Sequence, residues 1–455
     1  MSKWRQEFSA TLGLAWPLIL ANLSQIALTT TDVVMMGWYS TDALAGGTLG
    51  ANFYLTFFVV GLGIATATAP LLAHALGGRR RTHNQVRSIV QQGLWASLLY
   101  CLAAWVVLSR TEWILTWIGE PADLAKDAGA YVGTLQWGLL PGLWFLVLRC
   151  FVSALERPKP ALLATIAAII INAGGCWTLM FGQFGAPRLG LTGAGIASTF
   201  ANTTTALVLA VFVLRDCRFR RYHLLARMWR LDLAWMAALL RLGLPMSLAA
   251  GFEITAFSAA ALIMGFLGPQ TVAAHAIAIQ VAMITYMVPL GIGQAATIRV
   301  GLAAGADDHL GVRCAGRVAL TIGIGFMAAM AVILIAVPDL VVGLFLDRRD
   351  PVHSETIRIA VTFLAVAAVF QVFDGAQCVG TGVLRGLKDT RMPMVFAAVG
   401  YWGVGLPLGT VLVFPGHMGG IGLWIGLALG LATVAALVLG RWSRIEPPGL
   451  SKPPP

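Results

Sequence analysis

Charge is scarce in this 455-residue chain. Asp, Glu, Lys and Arg make up 11% of it, against about 25% in soluble domains. With 58% hydrophobic residues, that shortage excludes a water-soluble globule and points to a polytopic membrane protein. Long polar stretches are missing too: no gap between apolar segments is long enough for a soluble domain. The six cysteines (Cys101, Cys150, Cys176, Cys217, Cys314, Cys378) are scattered and form no C-x-x-C pair. They fit neither a disulfide framework nor a metal site, and a packing role is expected. There is no Gly-rich phosphate loop, H-E-x-x-H, nucleophile elbow or usable Ser/His/Asp set, so neither an enzyme nor a cofactor is expected. His74, His275 and His417 stand singly and read as structural. The net charge of +11 would suggest nucleic acid in a soluble protein. Here the basic residues sit in short loops between apolar runs, which is a topology signal and gives no reason to expect nucleic acid.

What the chain has is twelve apolar runs. At about 20 residues per span they cover 12–36, 48–76, 88–109, 128–153, 161–182, 190–214, 239–266, 272–301, 313–337, 356–384, 393–414 and 419–440. The first run follows Lys3 and Arg5, is too long for a signal-peptide core and should stay as a span. The even-numbered loops carry Arg79, Arg80, Arg81 and Arg87; Arg157 and Lys159; six arginines between Arg215 and Arg230; Arg313; and Lys388 and Arg391. The opposite loops hold only Arg110, Lys126, Arg188, Arg348 and Arg349, with acids beside them. Both termini are therefore expected in the cytoplasm.

The longest and most basic cytoplasmic loop divides the chain into an N-lobe (1–214), an inter-lobe loop (215–238), a C-lobe (239–441) and a disordered tail (442–455). The lobes repeat. PLILANLSQIALTTTDVVMMGW from Pro17 aligns without gaps with PMSLAAGFEITAFSAAALIMGF from Pro245, an offset that holds for Met36 and Met264 and for Gly63 and Gly291. Six spans per lobe make these parallel repeats, with substrate sites expected near mid-membrane. Runs such as Gly422-x-x-x-Gly426-x-x-x-Gly430 read as close helix packing. Pro141, Pro289, Pro338 and Pro407 mark kinks or helix ends.

Three carboxylates lie well inside spans: Asp32, Glu253 and Asp374. Burying all three costs about 8–10 kcal/mol, scaled from the single-residue insertion figure. Arg149 is the one plausible buried counter-ion and cannot serve three acids, so the acids read as functional. On span ten Gln371, Asp374, Gln377 and Thr381 share one helix face. On span one Asn22, Gln25, Thr29 and Asp32 do the same, and this stripe is expected to give Asp32 its hydrogen-bond partners. The face matching it in the second lobe carries Glu253 beside Phe257 and Met264. Acids near an aromatic and a thioether suit a cation: a proton, a hard metal ion or an organic cation. Asn172, Gln280 and Tyr286 are further buried polar candidates. Met36, Met283 and Met287, with Phe257 and Met264, are candidates for an adaptable substrate cavity.

VFDGAQCVGTGVLRGLKDTRMPM, AAHAIAIQVAMITYMVPLGIGQAATIRVGLAAGA and PLILANLSQIALTTTDVVMMGW resemble hallmark segments of the multidrug and toxic compound extrusion (MATE) family, in its NorM branch. The resemblance covers essentially the whole chain. It implies an all-α membrane protein of twelve helices in two pseudo-symmetric six-helix lobes, V-shaped, in a bacterial inner membrane and monomeric. It implies export of organic, mostly cationic compounds in exchange for H⁺ or Na⁺. On the same footing Glu253 and Asp374 are the C-lobe coupling-ion site, with Na⁺ as the only metal in question; Asp32 joins them as a coupling-ion residue of the N-lobe, with Asn172 as its supporting neighbour. The chain departs from the pattern at Ala276 and Phe370, where relatives often carry Gln and Tyr, and it has Cys176 where another branch carries a second acid. The first two departures remove oxygens that Na⁺ would use, so H⁺ is expected. A proton needs one carboxylate, and two neighbouring acids resist carrying two charges at once. The alternatives are a lipid-linked precursor flippase of the same superfamily, which would call for a basic cavity, and a membrane-embedded transferase, which would call for paired acids or a His at a membrane face.

Overall fold

A computed structural model describes residues 3–78, 83–183, 185–346 and 353–445. Of the topology-bearing loop residues, Arg79, Arg80, Arg81, Arg348 and Arg349 lie outside these, as does 446–455 of the expected tail.

Twelve helices among the described residues are long and apolar enough to cross a membrane. They are α1 (Lys3–Tyr39), α2 (Thr41–Gly77), α3 (His83–Leu108), α4 (Ala122–Ala154), α5 (Lys159–Phe181) and α6 (Leu191–Arg215), then α7 (Leu233–Gly265), α8 (Pro269–Gly305), α9 (His309–Ala336), α10 (Ser354–Gly386), α11 (Arg391–Val413) and α12 (Gly419–Arg444). Each falls on one of the expected spans, and several run past the apolar stretch at one or both ends. Backbone amides and carbonyls are satisfied inside a helix, so helices continue beyond the hydrocarbon into the interface wherever a cap allows. Ser40 is such a cap: its hydroxyl accepts from the Ala43 amide at 3.0 Å and starts α2 one residue after α1 ends.

The tail begins later than expected. Trp442–Arg444 continue α12, because the Trp442 ring lies over Gly316 of α9 and ties the helix end to the core. The inter-lobe loop is shorter than expected, since α7 starts at Leu233, and it is firmly attached. Gln91 Nε2 donates to Leu224 O and Ala226 O at 2.6 and 2.9 Å, Gln92 Nε2 to Arg230 O at 2.9 Å, and Trp95 Nε1 to Met228 O at 2.8 Å. Four bonds from one stretch of α3 thus satisfy the loop's carbonyls.

The chain forms two compact units, Leu20–Ser247 and Met1–Ile19 with Leu248–Pro455. The divisions fall inside α1 and α7, close to Pro17 and Pro245. In the first unit Gly63 of α2 packs on Ser247 of α7; in the second, Gly291 of α8 packs on Ile19 of α1. Both pairs obey the 228-residue offset. A Cβ at either glycine would collide with the neighbour's backbone, which is why only glycine permits these crossings. In the second unit Glu7 and Arg299 form a two-pronged ion pair, with contacts of 2.8 and 2.5 Å.

The prolines behave as their chemistry requires. Pro141 follows a 3₁₀ turn (Gln136–Gly138) in α4, Pro338 opens a short helix, and Pro407 follows a π-helical stretch, Ala398–Gly405, in α11. Pro289 lies inside α8 without ending it. Gly426 and Gly430 of α12 lie against the backbone of Gly405 and Gly409 in α11, so the Gly-x-x-x-Gly run is a packing seam.

Candidate functional site

In the unit holding the C-terminal half, α7 supplies Glu253 and, one turn on, Phe257. From α10 come Phe370, Gln371, Asp374, Gln377 and Cys378, while Tyr286 comes from α8 and Tyr401 from the π-helical stretch of α11. Gln377 Nε2 donates to Asp374 Oδ1 at 3.4 Å and to the Tyr401 hydroxyl oxygen at 3.2 Å. Tyr286 lies beside Cys378. Glu253 lies within electrostatic range of Asp374, Tyr286 and Tyr401. The one cation acting on Glu253 among the described residues is Arg385, near the end of α10. Asp374 is buried and Glu253 partly so, and neither forms an ion pair at salt-bridge distance among the described residues.

An aromatic wall backs the acids. Phe257 meets Phe370 edge-on at 6.1 Å and Tyr401 at 6.3 Å; Phe370 meets Trp424 at 5.6 Å, and Trp424 meets His275 at 5.6 Å. His275 thus forms the end of this wall. Gln371 is fully buried with both amide atoms unpartnered. Such a group is costly, and it stands one turn before Asp374.

The other unit gathers its acid differently. Ser198 Oγ of α6 donates to Asp32 Oδ2 at 2.9 Å, and Cys176 Sγ of α5 donates to Oδ1 at 3.6 Å. Asn172 stands beside Asp32, and its Nδ2 donates to Ser198 Oγ at 3.0 Å. Tyr131 of α4 lies within electrostatic range of Asp32 and Cys176. The stripe on α1 therefore does not supply Asp32's partners. Gln25 and Thr29 are exposed, and the Thr29 hydroxyl bonds the Gln25 carbonyl of its own helix at 3.2 Å, the usual resort of a β-branched hydroxyl in a helix. Asn22 bonds Arg149, with Nη1 to Oδ1 at 3.4 Å, and Arg149 pairs with none of the three acids.

The remaining candidates divide. Met36 and Met264 are core residues, at 2% and 0% exposure, and fill the same place in the two repeats. Met283 is exposed, while Gln280 and Met287 are partly buried on α8 with Tyr286. Among the described residues Gln280 bonds neither acid. The cysteines do more than pack, since Cys176 and Cys378 each join an acid cluster.

A family model described as MatE matches residues 17–178 and 245–411, most of the chain. The chain belongs to the MATE family. The two matched segments begin at the paired prolines, Pro17 and Pro245. This MATE chain is 49% identical to a probable multidrug resistance protein NorM of Mesorhizobium japonicum, covering 98% of this chain and 96% of that one. It is 47% identical to the Brucella suis protein of that name (97% and 94% covered) and 41% identical to the multidrug resistance protein NorM of Burkholderia vietnamiensis (95% and 93%). Its fold is that of the eukaryotic MATE transporter AtDTX14, at a TM-score of 0.85 and 22% identity over 97% and 96% of the chains. An outward-facing multidrug resistance MATE transporter superposes at 0.86 with 18% identity over 96% of each.

Sequence reasoning missed Tyr401, Ser198 and Tyr131. Tyr401 returns a phenol near Asp374 where Phe370 had removed one. Against Na⁺, the donor set fits better than the sequence suggested: two carboxylates, two phenols and the Gln377 amide provide the oxygens a hard cation takes.

Proposed function

We propose that the chain is a cation-coupled multidrug antiporter, exporting organic, mostly cationic compounds from the cytoplasm in exchange for an inward-moving ion, with H⁺ as that ion. The observation that supports it is the pairing of like charges at the second unit's site: two carboxylates, Glu253 and Asp374, lie within electrostatic range of each other, and among the described residues neither has an ion-pair partner at salt-bridge distance. Two negative charges side by side inside the membrane, where an unpaired charge is expensive, are unfavourable. Either a proton or a transported cation relieves that cost, and each displaces the other. Competition for one carboxylate pair is the physical content of antiport, and Asp32 extends the same logic to the other unit. The names of the relatives suggest drugs as the cargo. The basic loops support termini on the cytoplasmic side, and the bacterial relatives support an inner membrane as the site.

The test is efflux of a fluorescent organic cation from proteoliposomes under a pH gradient or a Na⁺ gradient imposed alone. Efflux driven by the pH gradient without Na⁺ is expected. Efflux driven only by Na⁺ would move the coupling ion to the oxygen set above. Glu253→Gln and Asp374→Asn should each abolish gradient-driven efflux while leaving a folded, inserted protein, and full efflux by either variant would remove the site from the mechanism.

A further inference from the structure

Arg149 has no acid. It lies on α4, five residues before the helix ends, and among the described residues its only hydrogen bond is the 3.4 Å contact from Nη1 to Asn22 Oδ1. A guanidinium carries five N–H donors, so four are unused, and the residue is partly exposed. Asn22 is buried, and its own donor, Nδ2, has no partner. One turn along α4 from Arg149, Ser153 Oγ is buried and unpartnered as well. Unpartnered polar groups thus collect around a cation in the unit whose acid, Asp32, is already held by Ser198 and Cys176. Proteins keep an intramembrane Arg where it meets a counter-charge. A planar fork with an amide donor beside it is the shape that receives a two-oxygen anion.

We propose that Arg149 and Asn22 form an anion-receiving subsite that takes the carboxylate of a zwitterionic amphiphile or the phosphate of an anionic lipid. The carboxylate case rests on the export reading above and narrows its cargo to include molecules bearing both signs of charge. Arg149 would hold the anion in two bonds, with the free Nδ2 of Asn22 giving a third.

The experiment compares two matched probes in proteoliposomes, an amphiphilic amine and the same amine carrying a carboxylate, with and without phosphatidylglycerol in the bilayer. Arg149→Met should lower the ratio of zwitterion to amine export at least tenfold. Asn22→Asp should do the same for a different reason: its carboxylate sits beside Arg149 and occupies the fork, in a variant whose folding the new ion pair supports. If the ratio holds but both variants lose a stimulation of export by phosphatidylglycerol, the bound group is the lipid phosphate. If both variants keep the ratio and the lipid dependence, there is no anion subsite. Should the wild type export neither probe, the export reading falls, and tighter binding of the zwitterion than of the amine to solubilised wild type, lost in Asn22→Asp, still reads the subsite.

Discussion

Gln377 is one amide serving two oxygens, Asp374 Oδ1 and the Tyr401 hydroxyl. Hydrogen bonds to charged groups contribute about 1.5–3 kcal/mol and neutral ones about 1 kcal/mol. Gln377→Leu takes a donor from the Asp374 carboxylate, which favours the protonated acid, and should therefore strengthen apparent affinity for H⁺ about tenfold, read as the proton concentration giving half-maximal efflux; Tyr401→Phe should change it less. In the other unit Ser198→Ala removes the 2.9 Å bond to Asp32 and should impair transport more than Cys176→Ser, which replaces a long thiol contact with a stronger donor. At this scale the acids were legible because a charge in an apolar run is anomalous wherever it lies. Their partners were not. A serine or tyrosine in a span is unremarkable, and Ser198 is 166 positions from Asp32, so no periodicity links them. Reading along α1 assigned Asp32 the wrong neighbours because a helix face shows what lies along it and nothing of what lies across from it.

The π-helical stretch of α11 and the fastened inter-lobe loop are elements whose form follows from their contacts. Ala398–Gly405 carries Tyr401 toward Gln377 while Gly400 and Gly405 lie against Gly430 of α12. Gly430→Ala would drive a Cβ into the Gly405 backbone, and overpacking of this kind costs about 1–3 kcal/mol. A lower melting temperature in detergent, with weakened ion coupling from the displaced Tyr401, is the expected pair of effects. In the loop, Gln91→Ala with Gln92→Ala should free the carbonyls of Leu224, Ala226 and Arg230. Faster amide exchange over 222–231, measured by mass spectrometry, would follow. The twelve spans were legible because apolar length is what a bilayer demands. The loop's attachment was not, since its acceptors are backbone carbonyls and those belong to every residue alike.

For the whole molecule, the 228-residue repeat was visible in the matched prolines and glycines, but the residues that complete each unit were not. The first nineteen residues pack with the second half, where Ile19 meets Gly291 and Glu7 meets Arg299. Deleting residues 3–16 should accordingly loosen α8 and leave α3 to α6 protected, a difference that hydrogen exchange resolves helix by helix. Loss of protection in α3 to α6 instead would contradict the assignment of those residues. The paired contacts of Gly63 with Ser247 and Gly291 with Ile19 also bear on ancestry. If the halves arose by duplication of one shorter gene, a lone copy could not have completed its own fold, because the segment that seals each unit is contributed by the other half. Such an ancestor would have been stable only as an exchanged homodimer, each subunit lending its leading helix to its twin, and fusion of the two genes would have made that loan permanent.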